Sequence, residues 1–136
     1  MMQLISEKLQ EVIDTSWFTV EDGAYVYARV QQVVHPEKHL AIINDLTELT
    51  IVTLEENLPL LNEYDSNKER WKLINIRCGK PFYCVGFIAA ITGALADAGI
   101  DIVLMSSFSN DLVLVMEKNL SQSMAIIQGL GFSHRQ

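Results

Sequence analysis

LADAGIDIVLMSSFSNDLVLV, residues 95–115, holds the end of a helix, two strands and the turn between them. Leu95, Ala96 and Ala98 are strong helix formers, and Gly99 stands where a left-handed C-terminal cap belongs. Asp101–Ser107 is apolar and β-branched and reads as a strand. Phe108-Ser109-Asn110 turns the chain. Asp111–Met116 is a second strand, apolar after its first residue. A helix feeding an antiparallel pair belongs to an α+β arrangement.

On the N-terminal side, residues 83–98 read as one helix with Phe87, Ile88, Ile91 and Leu95 on its buried side. Ala89, Ala90, Ala94 and Ala96 allow close packing there. Trp71–Arg77 alternates as a strand does, and Cys78-Gly79-Lys80-Pro81 breaks it. On the C-terminal side, Leu120, Met124 and Ile127 mark a last helix that ends near Gly129 or Gly131. The order from Trp71 onward is β-α-β-β-α. A ferredoxin-like βαββαβ unit needs one more strand, and only Ser133-His134-Arg135-Gln136 follow Phe132.

The first half has strands to spare. Ile5, Leu9, Val12 and Ile13 place an amphipathic helix over residues 4–13, suited to packing or dimer contact. Trp17–Val20 and Tyr25–Val30 are β-rich around the Glu21-Asp22-Gly23 turn. Leu40–Ile43 and Leu49–Thr53 read as two short strands, and residues 55–70 as a polar linker. The expected organisation is an N-terminal helix (1–14), a first, degenerate lobe (15–66) and a second lobe (67–136), with the first lobe donating a strand to the second sheet.

Composition narrows the function. Of 136 residues 49% are hydrophobic, enough to bury a core. Ten Lys and Arg against 17 Asp and Glu give a net charge of −7. Such a chain is a poor ligand for nucleic acid or an anionic membrane surface, where basic residues supply the affinity. Two cysteines do not make a disulfide scaffold, no apolar run is long enough to span a bilayer, and the acidic N-terminus is no signal peptide. A cytoplasmic location is the expectation.

No nucleophile set, phosphate loop or dinucleotide motif is present, so no catalytic residue and no cofactor is expected. His35-Pro36-Glu37-Lys38-His39 reads as a solvated turn, because Pro36 prevents the helix that would put both histidines on one face; no metal site is expected. Cys78 and Cys84 have neither redox nor zinc spacing and read as structural thiols. The segment Cys78–Phe87, CGKPFYCVGF, joins a strand to a helix start, whose free amides and dipole suit a carboxylate; it also reads as an ordinary loop with a packing glycine. Asp111 opens an apolar strand and either caps the preceding turn or receives a ligand's ammonium or guanidinium group.

The run Trp71 … Phe82-x-x-x-Gly86 … Leu95-Ala96-x-Ala98-Gly99-Ile100 … Ser106-Ser107-Phe108-x-x-Asp111-x-x-Leu114-Val115 resembles the ACT domain. More closely it is similar to the tandem-ACT group that includes CASTOR-type arginine sensors. In the first half, Gly23-Ala24-Tyr25-Val26 matches that group's opening strand, and Thr47-Glu48-Leu49-Thr50-Ile51-Val52 its acidic strand. Cys78-Gly79-Lys80-Pro81 departs from the usual Gly-Pro-Leu-Asp stretch, Leu112 replaces a frequent aromatic, and residues 1–14 precede the usual start. The resemblance implies two intertwined βαββαβ-type lobes with antiparallel sheets. It implies a non-enzymatic regulatory module that binds an amino acid, forms a homodimer and works by ligand-linked association. Carried over by position, the ligand-binding residues are Phe82, Tyr83, Cys84, Val85 and Gly86 on the loop, and Ser107 and Asp111 on the strand side. The alternative is a scaffolding domain of the same fold without a ligand.

Overall fold

The computed structural model describes residues 5–80 and 84–136. In chain order the elements are α1 (Glu7–Asp14), β1 (Trp17–Val20), β2 (Tyr25–Val30), β3 (Ala41–Asn44), β4 (Leu49–Leu54), β5 (Tyr64–Ser66), β6 (Trp71–Arg77), α2 (Phe87–Asp97), β7 (Ile102–Ser106), β8 (Asn110–Met116), α3 (Leu120–Leu130) and β9 (Ser133–His134). Two 3₁₀ turns, Pro36–Lys38 and Glu55–Leu60, lie in the first half. The fold is the mixed α+β, ferredoxin-like arrangement expected from the sequence.

The chain divides into two compact units. One is Met1–Glu21 with Lys72–Gln136, and the other is Asp22–Trp71. The division differs from the expected 15–66 and 67–136, because α1 and β1 go with the C-terminal half. The physical reason is pairing: β1 lies antiparallel to β6, with Trp17 opposite Arg77 and Val20 opposite Ile74.

In the first unit the strand order is β7-β8-β6-β1-β9. The fourth strand of the βαββαβ series is present after all, but as only two residues, and it pairs with β1 in parallel. Thus β1 fills the place beside β6. Phe18, Ile74, Ile76, Val113 and Val115 from the sheet pack with Leu9, Val12 and Ile13 of α1, Phe87, Ile91 and Leu95 of α2, and Ile127 of α3. Ser6 caps α1 by accepting from the Leu9 amide at 3.1 Å. α2 begins four residues later than the periodicity suggests, because Gly86 sits at φ 91, a left-handed conformation open to glycine.

In the second unit the order is β3-β4-β2-β5. The segment expected as a linker contains the Glu55–Leu60 turn and β5, which pairs with β2. Taken in chain order the second unit runs 2-3-1-4, with 3₁₀ turns where helices would stand; β6, β7, β8 and β9 of the first follow the same sequence but with β1 inserted between β6 and β9. Pro36 at the start of one turn and Pro59 inside the other oppose longer helices. Its core is correspondingly small: Val26, Ala28, Val30, Ile51, Leu58 and Leu61.

Candidate functional site

The β7–β8 hairpin forms one wall. Register places Ser106 opposite Asp111. The Ser107 amide donates to the Asn110 carbonyl at 2.9 Å, which leaves Phe108 and Ser109 as a two-residue loop. The Asn110 amide donates to Ser107 Oγ at 3.3 Å. Ser106 Oγ donates to Asp111 Oδ1 at 2.6 Å. Asp111 is therefore held by the strand residue opposite it rather than by a turn amide.

The other wall is the start of α2 and the end of β6. The Phe87 amide is used by the Cys84 carbonyl, and the Ala90 amide by the Gly86 carbonyl. Among the described residues the amides of Ile88 and Ala89 have no acceptor, as expected for a first helical turn. α1 fixes the chain just after β6: the Gly79 amide donates to Ser16 Oγ at 2.7 Å, and Ser16 Oγ donates to the Val12 carbonyl at 2.7 Å. A side chain at Gly79 would meet Val12 O at 2.8 Å, so only glycine fits this approach.

Between the walls lies a cavity of about 420 Å³, lined by Cys78, Cys84, Gly86, Phe87, Ile88, Ala89 and residues 106–111. It lies wholly within the first unit. Of the residues carried over by resemblance, Cys84, Gly86, Ser107 and Asp111 line it together. Val85 is 98% exposed and is not part of the lining. Phe82 and Tyr83 lie outside the described residues. Ile88, Ala89, Ser106, Phe108, Ser109 and Asn110 line the cavity without having been named as binding residues, and Cys78 and Phe87, the ends of the segment read as suiting a carboxylate, line it too. For Cys78 the signal was its place at the strand end that feeds the loop.

The lining has one carboxylate, several hydroxyls and two thiols, and among the described residues no lysine, arginine or histidine. Lys80 is exposed and outside it. Burial, the Asp111 charge and then Cys84 push the Cys78 thiol up to about 11, so it is a neutral part of the wall. The arrangement can accept hydrogen bonds from a cationic group at Asp111 and offer amides to an anionic one at α2. No group of three or more potential metal ligands gathers among the described residues, and none of their helices is long and apolar enough to cross a membrane.

Residues 66–128 match the family model of the ACT domain. No curated protein matches the sequence. A Vibrio cholerae protein of unknown function, with a suggested transport role, superposes with a TM-score of 0.79 at 19% identity, over 92% of this chain and 97% of its own. An Agrobacterium tumefaciens protein gives 0.73 at 21% identity, over 88% and 92%. The regulatory subunit of aspartate kinase from Thermus thermophilus, in its ligand-free form, gives 0.57 at 10% identity, over 85% and 95%. These likenesses establish a shared fold.

Proposed function

We propose that the ACT domain matched over residues 66–128 makes this chain a regulatory module that binds an amino acid and couples occupancy to association, with itself or with an effector. The observation that carries the reading is the cavity: folding brings Asp111, Ser107 and the first turn of α2 around one open space. A zwitterion needs an acceptor for its ammonium and donors for its carboxylate a few ångströms apart. Asp111 with Ser107 is the first, and the amides of Ile88 and Ala89 are the second. Phe82 and Tyr83 belong to the same proposed site by position on the loop. The module is non-catalytic and cytoplasmic in this reading.

The tandem-ACT reading, related to the arginine sensors, draws support from the β3-β4-β2-β5 order of the second unit, which β7-β8-β6-β9 of the first repeats apart from the inserted β1. In that reading the second unit is a reduced copy that has kept its strands and lost its helices. The scaffolding alternative draws on a different observation, the departure at Cys78-Gly79-Lys80-Pro81 beside the cavity.

A thermal-shift screen against the twenty amino acids separates the two. A ligand at a hundredfold excess over its Kd stabilises the folded form by about 2.7 kcal/mol, a rise of several degrees in Tm. One amino acid, or one chemical class, should give that rise and change the elution volume in size-exclusion chromatography. No shift with any of them would favour the scaffold.

A further inference from the structure

On the face of the first unit's sheet that turns away from its helices, Trp17 stands between two arginines. Phe18 of β1 and Ile76 of β6 belong to the core, so alternation turns Trp17 and Arg77 to the other face. These two lie directly opposite each other in the β1–β6 ladder. β9 flanks β1 on its other side, and the Arg135 amide just beyond it donates to the Phe18 carbonyl at 2.8 Å. That bond brings the Arg135 side chain to the same indole. The guanidinium carbon of Arg135 lies 4.0 Å from the ring centroid and that of Arg77 lies 5.6 Å from it. Both arginines are exposed, and the indole between them is half-buried.

The other two arginines of the chain are neutralised: Arg29 pairs with Asp65 at 2.8 Å, and Arg70 with Glu55. Arg77 and Arg135 have no carboxylate within ion-pair distance among the described residues, in a chain with 17 acidic side chains. Glu21, two residues beyond Thr19, takes the Thr19 hydroxyl at 3.5 Å instead. Stacking on an indole holds a guanidinium by its flat face and leaves the N–H donors free at its edges. Two such cations around one ring repel each other, and the ring quadrupole offsets only part of that repulsion. An anion that satisfies the pair needs oxygens for both forks. A carboxylate has two, which one fork fills; a phosphate monoester has three and carries close to two charges near neutral pH.

We propose that Trp17, Arg77 and Arg135 form a binding site for the phosphate group of a small phosphorylated molecule. Size follows from charge: a net charge of −7 repels a long polyanion over most of the surface, whereas a small dianion meets only the two guanidiniums. Thr19 and Asn75, paired across the same two strands and next along this face, add neutral donors and acceptors for the rest of that molecule. The site shares no residue with the cavity beside Asp111, so this idea and the amino-acid reading can each fail alone.

The test is a proton–nitrogen NMR titration of the intact chain at about pH 7 with inorganic phosphate, AMP and acetate. Trp17 and Trp71 are the two tryptophans, and Trp17→Phe identifies the Trp17 indole signal. That signal and the Arg77 and Arg135 Nε–H signals should shift and saturate with phosphate and with AMP, at Kd values of about 0.1–5 mM, and not with acetate. Equal affinity for phosphate and AMP would mean that the phosphate group alone is read, and tighter AMP that its nucleoside is read too. Arg77→Gln and Arg135→Gln should each weaken binding about tenfold or more. Arg135→Lys keeps the charge but not the stacked fork and should recover only part of the loss. Arg29→Gln, which removes a paired arginine, should bind as wild type does. No saturation by about 20 mM phosphate, acetate binding as tightly as phosphate, or unchanged affinity in both glutamine variants would each overturn the proposal. So would a short oligothymidylate that binds more tightly than AMP.

Discussion

Asp111 has one described partner, the Ser106 hydroxyl at 2.6 Å, and that bond engages a single carboxylate oxygen. A desolvated, charge-assisted bond from a ligand ammonium to the carboxylate contributes about 1.5–3 kcal/mol. Asp111→Asn keeps an oxygen for Ser106 but removes the charge. It should weaken binding of the amino acid found by screening by roughly ten- to a hundredfold, measured by isothermal titration. Equal affinities would take Asp111 out of the site. Cys78 offers a separate check on the geometry of the same wall. Its thiol, raised from 9.0 to about 11, should react with iodoacetamide near pH 8 roughly a hundredfold more slowly than in the urea-unfolded chain. Equal rates would mean that Cys78 is neither buried nor near Asp111. At this scale part of the site was legible. A lone acid at the head of an apolar strand and a glycine before a helix are visible in one sequence. That Cys78, Ile88 and Ala89 face them is not, because it depends on where α2 packs.

Among the elements, strands and helices with strong periodicity were readable, and the exceptions share a cause. α2 starts at Phe87 rather than at residue 83 because a single backbone angle at Gly86 overrides the helix preference around it. β9 is too short to carry any pattern and exists because β1 offers it an edge. The region read as a linker contains a strand for the same reason, since β5 is defined by β2. α1 was expected to pack or to make a dimer contact, and it packs: Leu9, Val12 and Ile13 are in the core of the first unit. Its C-terminal end also anchors the chain after β6 through Ser16 and Gly79. Gly79→Ala would drive a methyl group into Thr15 and Val12 O, backbone that cannot yield without moving α1. The expected cost is about 1–3 kcal/mol, seen as a lower urea midpoint with an unchanged slope. A Gly79→Ala chain as stable as wild type would show that α1 does not hold this loop.

For the whole molecule, the β-α-β-β-α series was legible from Trp71 onward, but not which strand completes its sheet. The Glu21-Asp22-Gly23 turn says that two strands flank it; it does not say that the first of them pairs across more than fifty residues with β6. Long-range pairing leaves no local mark on a sequence. It has a consequence for folding. A fragment of residues 67–136 keeps β6, α2, β7, β8 and α3 but loses Leu9, Val12, Ile13 and Phe18 from its core, together with the strand on which β9 forms. Each buried side chain of this size contributes about 1.5–3 kcal/mol. Four of them amount to roughly 6–12 kcal/mol, comparable with the whole stability of a small domain at about 5–15 kcal/mol. The fragment should therefore be unfolded or aggregated, with a collapsed proton–nitrogen NMR spectrum. Adding residues 5–21 as a separate peptide should restore dispersion, because that segment supplies both the missing core and the missing strand. A well-dispersed spectrum from the fragment alone would show that β1 is an accessory to this sheet rather than part of its core.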